Sequence, residues 1–189
     1  MPSPAASSSS IRTVLRRFRR NRRGSAAVEF ALVAPVFFAL LFAIIETAIV
    51  FFAGQVLETV AQNSARLIMT GQAQGANYAK WNDFRDGKVC GQIPALFSCA
   101  NLFVDVQSYP AFSNISISSQ IDSNNNFINN MQYSPGTQGQ IVVVRLFYQW
   151  PLFVTGLGYN IANLTGSKRL LSATSVFRNE PYSNGTCPT

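Results

Sequence analysis

Apolar side chains run almost without interruption from Ala26 to Ala53, and the only ionisable residues among these 28 are Glu29 and Glu46. At about 1.5 Å per residue such a run makes roughly 42 Å of helix, enough to cross a bilayer. The pattern then changes without a break. Val56 or Leu57, Val60, Ala61, Ser64, Ala65 and Ile68 follow at steps of three and four. This spacing predicts that the same helix continues as an amphipathic one to about Thr70. Gly71 is placed to end it, because glycine takes the left-handed conformation that closes a helix. Pro35 has no backbone donor and is expected to bend or loosen the helix near Val33 and Ala34.

Beyond Gly71 the periods shorten. Tyr78, Trp81, Phe84 and Val89 fall at helical spacing, but Gly87, Gly91 and Pro94 break the pattern, so one or two short helices are expected there. "LFVDVQSY", Leu102 to Tyr109, alternates as a half-buried strand does. A polar stretch from Ser113 to Gly139, rich in Asn, Ser and Gln, reads as loop. "QIVVVRLFYQW", Gln140 to Trp150, is β-branched and aromatic throughout and is the strongest strand. "SKRLLSATSVFRNEPY", Ser167 to Tyr182, is the third. The fold class is α+β: a long N-terminal transmembrane helix continuing into a small outer domain with short helices and a roughly three-stranded antiparallel sheet. Between the last two strands, Leu152, Phe153, Val154 and Leu157 are unusually apolar for a connection. They either pack into the core, or rest on a membrane face or a partner subunit.

Charge changes the picture at one end only. The net charge is +7, but seven of the 15 Lys and Arg lie between Arg12 and Arg23, and after Gly24 eight basic residues balance eight acidic ones. The body therefore lacks the basic surface that nucleic-acid binding needs, and no nucleic-acid partner is expected. Arg16, Arg17, Arg19, Arg20, Arg22 and Arg23 instead orient the span, holding the N-terminus in the cytoplasm and the body outside. The apolar run is too long for a cleaved secretory signal, and "VFFAGQVL" is a poor cleavage site. Residues 1–15 are Ser- and Pro-rich and are expected to lack structure. The domains are then 1–24, a basic leader; 25–54, a transmembrane helix; and 55–189, an extracytoplasmic α+β domain.

The chemistry available is narrow. There is no His, which removes imidazole-dependent relays, and no Gly-rich phosphate loop or metal-ligand spacing is present. We expect no enzyme, no metal and no cofactor. Asp83 and Asp86, interleaved with Lys80, Arg85 and Lys88, read as a solvated face. Outside the cytoplasm Cys90 and Cys99 are placed to close a short loop worth about 2 to 3 kcal/mol. Cys187 stays a free thiol or a competing partner. Glu29 stands four residues after Ser25, one helical turn along and on the same face. Were the chain cut between Gly24 and Ser25, it would pair with the new amino group on Ser25 of the same molecule or of a neighbour; the alternative is that it sits wet at headgroup depth beside Arg23. Glu46, apolar on both sides, either snorkels to the outer interface or pairs within a helix assembly.

"RRGSAAVEFALVAPVFFALLFAIIE" resembles the TadE-like family of pseudopilins from tight-adherence (Flp) pilus systems, strongly over residues 16–70 and moderately beyond. The resemblance implies that a prepilin peptidase of the bacterial inner membrane removes the leader. Gly24 is then the last leader residue, Ser25 the new terminus and Glu29 the glutamate of the processing motif. It further implies a minor, pilin-like component whose partners are that peptidase, other pilin-like subunits and the assembly machinery. Its place is a single-pass position in the inner membrane with a periplasmic body, or in the pilus itself. The rival is an uncleaved signal-anchor protein whose outer domain binds a ligand or partner.

Overall fold

The computed structural model describes residues 24–155 and 159–181. The six arginines expected to orient the span, all of the expected leader but Gly24, Leu157 and Cys187 lie outside the described residues. One continuous helix, α1, runs from Ser25 to Met69 and passes through Pro35 without a break. Two compact units divide the chain, one up to Phe42 and one from Ala43 onward.

In the first unit α1 turns its apolar side chains outward on every side, with Val28, Phe30, Leu32, Val33, Val36 and Phe37 all more than half exposed. A helix apolar all round has no polar face to give to water, which is the character of a segment built for lipid or for other apolar helices.

In the second unit the helix has two faces. Val50, Ala53, Leu57, Val60, Ala61, Ala65 and Ile68 are buried, a stripe repeating at steps of three and four. Gly71, at φ 79°, ends the helix in the left-handed conformation, and its N–H donates to the carbonyl of Ile68 at 3.0 Å. The chain goes on through α2 (Gln72–Gly75), α3 (Trp81–Phe84), a π-helical turn (Arg85–Val89) and a short turn from Cys90 to Gln92. Glycine and proline interrupt this stretch too often for a longer helix to form. Asp83 accepts the Lys80 N–H at 3.1 Å and starts α3.

Three antiparallel strands follow in the order β1 (Leu102–Tyr109), β2 (Ile141–Pro151), β3 (Lys168–Arg178). Val104 lies opposite Leu146, which lies opposite Ala173. These residues, with Leu102, Val106, Val144 and Tyr148, share the core with the helix stripe. The expected α+β architecture is present, and β1 has the bounds its alternation predicts.

Burial of β2 on both faces is the less obvious feature. Its other face carries Val143, Arg145 and Phe147, all buried, and the cover is the polar segment after β1. Phe127 from that segment packs on Phe103 and Phe147 at centroid distances of 4.6 and 6.1 Å. The Ser134 N–H donates to the Val106 carbonyl at 2.8 Å, while the Val106 N–H donates to Gln132 at 2.9 Å, so the segment also lines the free edge of β1. It has almost no regular structure, yet it works as the third layer.

Candidate processing and interface sites

Gly24 sits immediately before α1. Its φ is not in the left-handed region, and a Cβ built on it would meet nothing within 4 Å among the described residues. Packing among the described residues therefore makes no demand for glycine at this position. Ser25 opens the helix, and Glu29 is exposed one turn further on, among exposed apolar neighbours. Among the described residues Glu29 has no ion-pair partner.

Glu46 is only 7% exposed. Its carboxyl group accepts the backbone N–H of Phe153 through Oε1 and that of Val154 through both oxygens, at 3.1 and 3.2 Å. Its neighbour Thr47 donates to the Ala43 carbonyl at 2.7 Å and shares a hydrogen bond with the Tyr159 hydroxyl. These contacts tie the connection between β2 and β3 to the helix. Backbone donors satisfy the hydrogen bonds of a buried carboxyl without bringing a second charge into the apolar region. The connection divides its side chains: Leu152 is buried, Val154 is half-buried and Phe153 is 85% exposed.

Cys90 and Cys99 form a disulfide, with Cα atoms 5.7 Å apart. Asp86 Oδ1 lies 3.8 Å from one sulfur and 3.4 Å from the other. These three side chains have the spacing of a small ligand set, but two sulfurs bonded to each other have no thiolate to offer a metal. Asp86 instead pairs with the Arg85 guanidinium at 2.7 Å, which holds its carboxyl below the usual carboxylate range. Arg85 also stacks over Trp81, 5.1 Å from the ring centre.

One polar cluster had no counterpart in the sequence reading. Asp105 and Arg145 face each other across β1 and β2, with side chains 1% and 6% exposed. Arg145 donates to Asp105 Oδ2 through Nε at 3.1 Å and Nη2 at 2.7 Å. Asp105 Oδ1 accepts the Gln132 N–H at 2.9 Å, and Arg145 Nη1 donates to the Ser118 carbonyl at 3.1 Å. The pair thus holds the covering segment at two points. The available signal was an Arg in the middle of an otherwise apolar strand, which must be paired if that strand is buried on both faces.

Residues 24–66 match the family model described as TadE-like protein. The chain carries a TadE-like segment. The match agrees with the resemblance read from the sequence, begins at Gly24 and covers most of α1, which is less than half of the chain. Comparison with curated proteins and with solved structures found no match. The TadE-like segment points to a component associated with a tight-adherence pilus, and the apolar helix is long enough to serve as its membrane anchor.

Proposed function

We propose that this protein is a minor pilin-like component of a tight-adherence pilus, acting by assembly and not by catalysis. A prepilin peptidase removes the leader between Gly24 and Ser25, and the body lies on the periplasmic side or in the pilus. Its partners are that peptidase, other pilin-like subunits and the assembly machinery in the inner membrane. The observation that carries this reading is the family match starting at Gly24, immediately before α1. A glycine that the packing does not require supports a reader outside the fold, such as a protease cleft that accepts only an extended backbone without a side chain. After the cut, the amino group of Ser25 would supply the positive charge that Glu29 lacks, on the same molecule or on a neighbour.

Amino-terminal sequencing or intact mass of the protein from its native host tests the cut. Ser25 is the expected terminus, and Met1, or a terminus within residues 54–60, would end the proposal. Gly24→Phe is expected to accumulate the longer form.

A further inference from the structure

We infer that the connection after β2, from Leu152 to Thr155, is a membrane-docking tip that sets Phe153 into the outer leaflet, with Glu46 as its clamp. This inference rests on the anchor part of the proposed function and says where the body stands relative to the lipid.

Phe153, at 85%, is the most exposed large apolar side chain among the described residues. Its backbone is held from both sides. The Leu152 N–H donates to the Ser167 carbonyl at 2.9 Å, and the N–H groups of Phe153 and Val154 lie on the Glu46 carboxyl. An aromatic ring held outward on a fixed backbone gains nothing from the protein's own core. Nothing among the described residues covers it.

The level at which it is held indicates what covers it. Ala26 to Glu46 is 20 residues along α1, or about 30 Å at the helical rise, which is the thickness of the hydrocarbon layer. Glu46 then stands at the far edge of that layer, and Phe153, hydrogen-bonded to it, stands at the same level. The helix beside the clamp exposes Ile45, Ile49 and Phe52, and no ionisable residue occurs between Glu46 and Glu58. A surface meeting another protein carries hydrogen-bonding groups around an apolar centre, whereas this one continues the apolar character of the span. Lipid is the occupant that matches it. Glu46 can lie at this depth because backbone donors, and not lipid, surround its carboxyl.

The test uses the full chain in phosphatidylcholine and phosphatidylglycerol vesicles, with Cys187→Ser and a nitroxide attached at Phe153→Cys. Labels at Phe38→Cys and at Ser172→Cys, on the exposed face of β3, serve as references. Collision with oxygen and with a water-soluble nickel chelate is read for each label. The expected result is a residue-153 label exposed to oxygen and shielded from nickel, like residue 38 and unlike residue 172. In a Glu46→Gln background its nickel accessibility is expected to rise several-fold. A label at 153 open to nickel while the one at 38 is shielded overturns the docking tip and leaves the anchor standing. Shielding from both reagents overturns it in favour of a second copy on this face. If 38 and 153 are both open to nickel, the anchor reading fails and the inference fails with it.

Discussion

Replacing Arg145 by Met removes the cation from a pair whose members are 6% and 1% exposed. The Asp105 carboxylate stays in place, with the Gln132 N–H and the Gln107 amide as its remaining partners among the described residues. Leaving one member of a buried pair uncompensated costs about 3 to 5 kcal/mol, against a total stability of about 5 to 15 kcal/mol for a domain. With a urea slope of about 1 to 3 kcal/mol per molar, the unfolding midpoint should fall by about 1 M or more. Trp81 and Trp150 report the transition in the detergent-solubilised full chain, and both lie in or against the core. The second variant is Asp105→Val with Arg145→Met, which removes both charges at once. It leaves the Gln132 N–H and the Ser118 carbonyl without these partners, so some loss remains. It should still be more stable than Arg145→Met alone, because no buried charge is left. If the two single changes instead add up in the double variant, the pair is not one unit and the reasoning fails. Hydrogen exchange supplies a local check: in Arg145→Met, residues 113–139 should lose protection before the strands do, because the pair holds that segment at Ser118 and Gln132.

Three further outcomes follow from the body. Replacing Cys90 and Cys99 by Ser opens a loop with a sequence separation of 9 and should cost about 2 to 3 kcal/mol in urea unfolding. Ser64 is fully buried and its hydroxyl has no hydrogen-bond partner among the described residues, so Ser64→Ala should leave the unfolding free energy unchanged or raise it by up to about 1 kcal/mol; a clear loss would show that the hydroxyl is bonded. Asp122 accepts the N–H groups of Asn124 and Asn126 at 2.9 and 2.7 Å, and chiefly the Asn126 bond holds its carboxyl below the ordinary 3.8. A lowered folded value means that its contribution is present above the unfolded pKa and lost as pH falls through the folded one. In an NMR titration the Asp122 carboxyl should therefore protonate below 3.8, and a midpoint at or above that value would contradict the turn geometry.

The second half of α1 and β1 were legible because each buries a face with its own period, and β2, buried on both faces, because it is β-branched and aromatic throughout. Alternation of Leu102, Val104 and Val106 with Asp105 and Gln107 sets β1, and the steps from Val60 to Ile68 set the second half of α1. The third layer was not legible. The segment from Ser113 to Gly139 has no apolar period, and its hold on the sheet comes from Phe127, from the backbone bonds of Gln132 and Ser134 to Val106, and from two backbone groups bonded to a side-chain pair 40 residues apart in sequence. Nor did the Glu46 partners leave a trace in the sequence, since every non-proline residue has a backbone N–H and nothing marks those of Phe153 and Val154.

Burial along α1 shows why an acid belongs in that helix. The buried positions Ala43, Glu46, Val50, Ala53 and Leu57 form a regular series of three and four, and Glu46 holds one of its places. An apolar residue there would pack, but it would leave two N–H groups of the β2 to β3 connection without acceptors, at about 1 to 3 kcal/mol each. A glutamine would turn one or more donors toward donors. The carboxyl is the one common side-chain group at that length that only accepts when ionised, so it suits a site lined by N–H groups. Position 46 is thus set by the body's connection as much as by the helix, and the acid in the apolar run belongs to the fold of the unit that begins at Ala43.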